Sequence, residues 1–209
     1  MTIFELLALP FPPASVHWRV GSTNQAKTSG LALAYVDARD VMERLDSVVG
    51  PGNWQNRYPH ANGKTVCEIG IKVDGEWIWK ADGSGDTDVE AEKGALSDAF
   101  KRAAVRWGIG QYLYGLGNVW VEIEPMGRSY KIKDSEKTKL ANSLPTPPTA
   151  EQIANFDKVK EAISNAVTLA AIDAVLTERT AEITGLTEDM KARLRNVVRF
   201  VREARKVAS

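Results

Sequence analysis

The segment Ala95-Leu-Ser-Asp-Ala-Phe-Lys-Arg-Ala103 decides the fold of this 209-residue chain, because it forms the middle of a long amphipathic helix. The turn-rich stretch Asp82-Gly-Ser-Gly-Asp-Thr-Asp88 precedes the helix, and Gly108-Ile-Gly-Gln-Tyr-Leu-Tyr114 follows it. At about 100° per residue, the pattern predicts a helix from Val89 to Trp107 with one narrow apolar stripe. The stripe consists of Leu96, Phe100, Ala103 and Trp107.

The same helix displays cations on the side away from its apolar stripe. Lys101 lies on one flank of that side, and Arg102 and Arg106 lie on the other. Since these side chains cannot be core, two interpretations of Lys101 and Arg102 fit the periodicity equally well. They contact a polyanion, or they belong to a solvated face on which Asp98 pairs with Arg102 at i,i+4.

Composition limits the classes of protein to which the helix can belong. The chain has 27 basic and 27 acidic residues, so a polyanion site must be a local patch, often completed by self-assembly. Cys67, the single cysteine, excludes internal disulfides and cysteine-rich zinc sites. We expect it to be a small buried hydrophobe in a strand, in a reducing compartment. The N-terminus lacks the features of a signal peptide, which favours a cytoplasmic protein.

The sequence before the central helix predicts short, alternating elements. Residues Met1 to Leu9 form a helix that prolines end, and the segment to Gly30 is interpreted as a loop around Val16 to Val20. A strand is predicted over Leu31 to Val36. Asp37 then caps a helix that ends at Gly50-Pro-Gly52. The core positions of this helix are Val41, Leu45 and Val48.

A β-hairpin is predicted next, with its turn at Asp74-Gly75. Its strand from Thr65 to Val73 alternates apolar and polar residues, and a two-residue loop would pair Val73 with Glu76. We prefer a three-residue loop, which places Val73 opposite Trp77 and collects apolar residues on one face. In that register Ile71 pairs with Trp79. Further strands are predicted over Trp54 to Tyr58, Trp77 to Trp79 and Asn118 to Glu124. The four tryptophans Trp54, Trp77, Trp79 and Trp107 fit core positions.

These elements define an α+β domain over residues 1–144, an antiparallel sheet and hairpin packed on the long helix. A proline-rich linker, 145–148, separates it from a small three-helix domain over 149–209. Thr149 and Gln152 resemble a capping box at the first of these helices. The second helix runs from Leu169 to Leu176, and Thr187 caps the third, which extends through Phe200. Cations dominate this last helix, and we interpret them as a solvated face rather than a DNA contact.

Motifs of nucleotide hydrolysis and of nucleophilic or zinc chemistry are incomplete in this chain. Asn62-Gly-Lys-Thr65 resembles the tail of a phosphate-binding loop, but Tyr58 occupies the position that needs glycine. His17 and His60 are the two histidines, and no motif of a serine hydrolase or a zinc protease accompanies them. These enzyme classes therefore have no support.

Acidic residues leave one enzymatic alternative open. Asp82, Asp86 and Asp88 are interpreted as turn and cap residues, because a calcium loop would need an acid where Lys93 stands. A metal-dependent nuclease needs a few acids and a lysine on adjacent strand positions, and the hairpin offers a loose match. Its members are Glu68, Asp74, Glu76 and Lys80.

Four motifs in a fixed order carry a resemblance to a known family. They are Tyr35-Val-Asp37 entering a helix, Val48-Val-Gly-Pro-Gly-Asn-Trp54, the turn Asp74-Gly75, and Ala95 to Ala103 before Trp107-Gly108. Together they resemble the Rad52 family of single-strand annealing proteins of homologous recombination, in its phage and prokaryotic branch. The resemblance covers Arg19 to Leu116, and the run Ser-Asp-x-x-Lys-Arg-Ala is its most specific part.

The resemblance implies an oligomeric ring that holds single-stranded DNA by its backbone in a basic groove, without any cofactor. It assigns Lys101 and Arg102 to that groove, together with Arg19 and with Tyr35 at the end of a strand. Lys64 resembles a lysine of a second, outer DNA site in the family.

The chain also departs from the family pattern. A further helix cation of the family falls on Val105, and Arg106 lies one position later, rotated by about 100°, as its candidate substitute. The hairpin and the loop after it are shorter than in eukaryotic members. Residues after Leu116 match nothing in the pattern.

We therefore expect an ATP-independent, non-enzymatic protein that binds single-stranded DNA and anneals complementary strands in double-strand break repair. The expected partners are single-stranded DNA, further copies of the chain in a ring, and a single-strand-binding protein or exonuclease of the same pathway. A bacterial cytoplasm, with the gene from the host or a phage, is the expected location. The alternatives are a metal-dependent nuclease and a non-catalytic protein-interaction module.

Overall fold

The computed structural model describes residues 1–61, 64–83 and 92–207. The chain divides into two compact units, Thr2–Pro145 and Thr146–Ser209, and Met1 groups with the second. The strands are β1 His17–Thr23, β2 Ser29–Tyr35, β3 Trp54–Arg57, β4 His60–Ala61, β5 Lys64–Val73, β6 Glu76–Gly83, β7 Val119–Met126 and β8 Ser129–Ile132. The helices are α1 Ile3–Leu7, α2 Ala38–Val49, α3 Glu92–Val105, α4 Lys137–Asn142, α5 Ala150–Asn165, α6 Leu169–Glu178, α7 Thr180–Thr184 and α8 Glu188–Val207. Within the described ranges, every helix is too short or too polar to cross a bilayer.

The first antiparallel sheet of the Thr2–Pro145 unit has the strand order β1-β2-β7-β8. Its edge strand β1 corrects the loop predicted around Val16 to Val20, since Trp18 pairs with Ala34 and Val20 with Ala32. The sequence pattern did not predict β1, because only Trp18 and Val20 alternate with polar residues before Gly21 interrupts the alternation. Strand β7 confirms the strand predicted over Asn118 to Glu124, whereas β8 was not predicted.

The second sheet places β5 between β3 and β6. Its hairpin turn contains only Asp74 and Gly75, whose φ angles are 51° and 89°, so Val73 pairs with Glu76. The predicted three-residue loop was wrong, because two left-handed residues form a tight turn whose twist matches that of the strands. Trp77 consequently lies opposite Lys72 and is 39% exposed, which contradicts its predicted burial.

Helix α3 packs against β5 and β6 and supplies the centre of the core. Phe100, Ala103 and Trp107 are buried as predicted, and the Trp107 Nε1–H donates to the carbonyl of Ile69 at 3.2 Å. The burial predicted for Cys67 is likewise confirmed. Leu96 is 46% exposed, so its assignment to the core stripe was wrong. In the part of α3 whose side chains are described, the first buried residue is Ala99. The predicted helix start at Val89, with Asp86 and Asp88 before it, lies outside the described residues.

The two helices predicted before the second sheet are confirmed. Helix α1 ends before the prolines, and Arg44 on α2 donates to the carbonyls of Leu7 and Leu9 at 3.1 and 2.7 Å. These bonds satisfy acceptors that the end of a short helix leaves free. Helix α2 begins after Asp37, whose N–H donates to Asp40 Oδ2 at 3.1 Å.

The Thr146–Ser209 unit is helical and has its own core, which includes Phe156, Ile172 and Met190. Thr149 and Gln152 form the predicted capping box of α5, because each accepts a bond from the other's backbone N–H. The short helix α7 was not predicted. Helix α8 continues to Val207, beyond the predicted end at Phe200.

Candidate nucleic-acid interface

A groove of about 580 Å³ opens in the Thr2–Pro145 unit. Strand β2 and the residue after it contribute residues 31–36 to its lining, and β1 contributes Trp18 and Arg19. Helix α3 contributes Asp98, Lys101, Arg102 and Val105, and the segment after α3 contributes residues from Ile109 to Asn118. Side chains from remote parts of the sequence therefore meet along one open surface.

Four of the six residues predicted to bind DNA line this groove: Arg19, Tyr35, Lys101 and Arg102. Arg19 and Arg102 are exposed, while Tyr35 and Lys101 are half-buried. The Lys101 Nζ lies 5.4 Å from the centroid of the Tyr35 ring, within the range of a cation–π contact. This contact brings a positive charge and an aromatic ring together in the groove lining.

Local structure explains why these side chains converge. In the β1–β2 pair, His17 lies opposite Tyr35 and Arg19 opposite Leu33, so Arg19 and Tyr35 share one face of the sheet. On α3, the burial of Phe100 and Ala103 against the second sheet turns the intervening Lys101 and Arg102 outward. After the helix, Gly110 has a φ of 69°, which an L side chain rarely adopts, and it starts the helical turn Gln111–Gly115.

Asp82, at the end of β6, holds two arginines beside the groove. Its carboxylate accepts from Arg102 Nη2 at 3.4 Å and from Arg106 Nε at 3.1 Å. Burial opposes ionisation of Asp82, but the Gly83 N–H and the two guanidinium charges outweigh it and lower the pKa of the carboxyl. Arg102 thus pairs with a residue 20 positions away, and this pair replaces the Asp98 pair that periodicity suggested.

The other two predicted residues are not in the groove lining. Arg106 lines an adjacent depression of about 370 Å³ together with Asp82 and Gln111. Arg102 and Tyr114 line both cavities, so Arg106 lies beside the groove. Lys64 begins strand β5, but its side chain lies outside the described residues.

Tyr114 is a further candidate that the sequence did not single out. Its side chain is 74% exposed at the junction of the groove and the adjacent depression. The signal was the aromatic pair in Gln111-Tyr-Leu-Tyr114, but only the structure separates its members. Tyr112 is half-buried and its hydroxyl accepts from the Phe11 N–H at 3.1 Å, whereas Tyr114 faces solvent.

The acids proposed for a nuclease do not assemble into a metal site. Glu68 pairs with Arg57, and its strand neighbour Ile69 lies opposite Lys80, so Glu68 and Lys80 point to opposite faces of the hairpin. Among the described residues, the group with ligand atoms within 4.8 Å of one another is His17, Asp37 and Asp40, and it excludes the hairpin acids. Asp40 accepts the N–H of Asp37 at the start of α2, which is a capping role.

Comparison with known proteins agrees with this architecture. Residues 1–127 match the family model described as Rad52/22 family double-strand break repair protein. The chain belongs to this family. The match spans α1 to α3, strands β1 to β7 and the groove residues, whereas β8 lies beyond it.

Two curated relatives carry the name single-stranded DNA-binding protein DdrA. The protein of Deinococcus radiodurans is 35% identical over 127 residues, which cover 60% of this chain and 61% of the relative. The protein of Deinococcus deserti is 37% identical over 124 residues, which cover 55% of this chain and 58% of the relative. The aligned part therefore spans about three fifths of each curated relative.

Proposed function

We propose that the protein binds single-stranded DNA in the groove of the Thr2–Pro145 unit and anneals complementary strands during double-strand break repair. The observation that carries the proposal is the convergence of Arg19, Lys101 and Arg102 with Tyr35 on one open surface. The name of the two Deinococcus relatives, which describes single-stranded DNA binding, supports it. Lys64, whose backbone opens β5, remains a proposed contact of an outer DNA site.

The groove chemistry suits recognition without regard to base sequence. Cations that neutralise phosphates release counterions, and this contribution is the same for every sequence. Aromatic rings add stacking of about 1–3 kcal/mol per base, which also tolerates all four bases. We expect Tyr35 and the exposed Tyr114, which line the groove, to supply it. An annealing protein needs this indifference, since both strands of any sequence must be held.

Self-association would allow the weak DNA contacts of single copies to add up to tight binding of a strand. The chain has a formal net charge of zero, and few cations line its groove, so one copy offers few phosphate contacts. Linking several copies raises the effective concentration of each groove along a strand. We therefore propose a homo-oligomer, in the form of a ring, as the DNA-binding species. The reaction needs neither nucleotide hydrolysis nor a metal, because pairing of the strands supplies the driving force.

An annealing assay in EDTA tests this proposal. Two complementary oligonucleotides, one carrying a donor dye and the other an acceptor dye, are mixed with and without the protein. We expect faster pairing without shortening of either strand. Cleavage of the oligonucleotides that appears only when excess Mg²⁺ is added would favour a nuclease. Unchanged pairing, together with absent DNA binding, would favour a protein-interaction module.

The pathway around the protein is part of the same proposal. Annealing follows resection by an exonuclease, and the exposed strand is covered by a single-strand-binding protein, so both are proposed partners. We propose the bacterial cytoplasm as the location, because the substrate is the DNA of the cell or of an infecting phage.

A further inference from the structure

A second groove, of about 480 Å³, lies on the Thr146–Ser209 unit. Helices α6, α7 and α8 each contribute aliphatic side chains to its lining, namely Leu176, Ile183, Leu194 and Val198. Leu194 is buried in the unit's core, whereas the other three are only half-buried against it. The groove therefore exposes apolar surface that the core of its own unit does not cover.

Cations border this apolar surface along α8. Lys191, Arg195, Arg199, Arg202 and Lys206 recur at every third or fourth position and thus share one side of the helix. They extend over about 22 Å at 1.5 Å per residue. Glu203 is the one acidic residue in the lining of the groove, so the border is strongly positive.

The charges of this border are only partly compensated within the unit. Lys191 lies 2.9 Å from Glu188, and Arg202 pairs with Asp173, whereas Arg199 Nη2 donates to the neutral Asn196 side chain at 3.3 Å. Because Arg199 is exposed and donates to a neutral side chain, a carboxylate of a ligand can neutralise its charge.

We propose that this groove binds an acidic peptide segment of a partner protein, one in which apolar side chains alternate with Asp and Glu. The apolar side chains cover Leu176, Ile183 and Val198, and the carboxylates face the cations of α8. Charge complementarity selects the acids, while the aliphatic surface selects their apolar neighbours. The proposal is independent of the DNA groove, because its residues all belong to the other unit.

The lining favours a peptide over a nucleic acid strand. Single strands bind through cations combined with aromatic rings on which bases stack, as Tyr35 and Tyr114 are placed in the first groove. The side chains of the second groove are aliphatic or charged, and Phe200 on α8, 74% exposed, is not among them. Aliphatic side chains flanked by cations are the expected complement of an acidic amphipathic segment.

Fluorescence anisotropy on the full chain tests the proposal. The probe is a labelled short peptide in which Glu and Asp alternate with Leu and Ile, and a matched peptide carries Ser in place of Leu and Ile. We expect saturable micromolar binding of the first peptide and at least about fivefold weaker binding of the second. Absence of saturable binding, or equal binding of both peptides, would overturn the proposal.

Charge reversal locates the binding surface. Arg195→Glu with Arg199→Glu changes two exposed side chains of the groove and should weaken peptide binding about tenfold or more. Lys137→Glu with Lys158→Glu changes two exposed lysines outside the groove by the same total charge and should leave it unchanged. Circular dichroism checks that both variants are folded.

Single-stranded oligonucleotide and vesicles of anionic phospholipid serve as competing probes. If Arg195→Glu with Arg199→Glu abolishes binding of either probe while peptide binding persists, the groove is a nucleic-acid or membrane surface and the proposal is wrong. An annealing assay on the same variant tests the proposed function independently, because we expect the variant to anneal complementary strands whether or not it binds the peptide.

Discussion

At the scale of single residues, Asp82 offsets part of the positive charge at the proposed DNA groove. Its carboxylate pairs with Arg102 and Arg106, the groups proposed to bind phosphates, so a bound strand would have to compete with it. Asp82→Asn removes this competition, and we expect single-stranded DNA affinity to rise about two- to fivefold, the range for losing an exposed ion pair. Fluorescence anisotropy at low salt measures the change.

A matched control for this prediction is Asp134→Asn, which breaks an exposed pair with Lys137 away from the groove. It should leave DNA affinity unchanged. A lower affinity in Asp82→Asn would mean that Asp82 positions the arginines for DNA instead of competing with it.

Asp82 also predicts a pH dependence of stability. Its pKa in the folded chain is lowered from 3.8, so the folded state binds this proton less readily than the unfolded state. The Gly83 N–H bond and the two ion pairs of the carboxylate therefore stabilise the fold at pH values above the ordinary pKa, and their contribution is lost as pH falls through the lowered value. We expect the stability difference between wild type and Asp82→Asn to be largest near neutral pH and to shrink below pH 4. Urea unfolding at several pH values measures it, and a constant difference would contradict the assignment.

At the scale of elements, the turn between β5 and β6 fixes the register of the hairpin. Gly75 has a φ of 89° with open space around the position of a Cβ atom, so its substitution tests backbone strain alone. We expect Gly75→Ala to lower the free energy of unfolding by about 1–2 kcal/mol. Gly52→Ala, also in open space but without positive φ, is the matched control and should change it little. Equal effects on the urea midpoint would contradict the two-residue turn.

Elements with strong local signals could be predicted from the sequence. Local signals that span a few positions predicted three helices. The capping residue Asp37 predicted α2, Thr149 predicted α5, and the apolar residues Phe100 and Trp107 predicted α3. Strand β1 could not be predicted, because an edge strand with few alternating residues gains its stability from pairing with β2.

The candidate site, too, could be predicted from the sequence only in part. Periodicity placed Lys101 and Arg102 on the exposed side of α3, and the family resemblance added Arg19 and Tyr35. The pairing of Arg102 with Asp82 and the separation of Arg106 from the groove depend on contacts about 20 residues apart in sequence. No local pattern encodes such contacts, since they arise only when β6 packs beside α3.

At the scale of the whole molecule, the two units contain separate hydrophobic cores. Phe100, Ile69 and Leu45 belong to the first, and Phe156 and Ile172 belong to the second. Because residues of the Thr2–Pro145 unit alone form the first core, we expect a fragment of residues 1–145 to unfold cooperatively and to retain the DNA affinity of the full chain within about twofold. Thermal circular dichroism and fluorescence anisotropy measure these properties. A fragment that folds but no longer binds DNA would show that the helical unit contributes to the interface.

The central claim is that cations of α3 hold the DNA backbone, and the salt dependence of binding tests it most directly. Each phosphate contact contributes about −0.7 to the slope of log K against log salt for single strands. Lys101→Ala with Arg102→Ala should therefore make the slope shallower by about 1.4. The variant should keep the oligomeric mass of the wild type, since both side chains point away from the core. The control pair Arg39→Ala with Lys137→Ala removes two exposed cations outside the groove and should keep the wild-type slope. A folded double variant of Lys101 and Arg102 with unchanged affinity and slope would contradict the account.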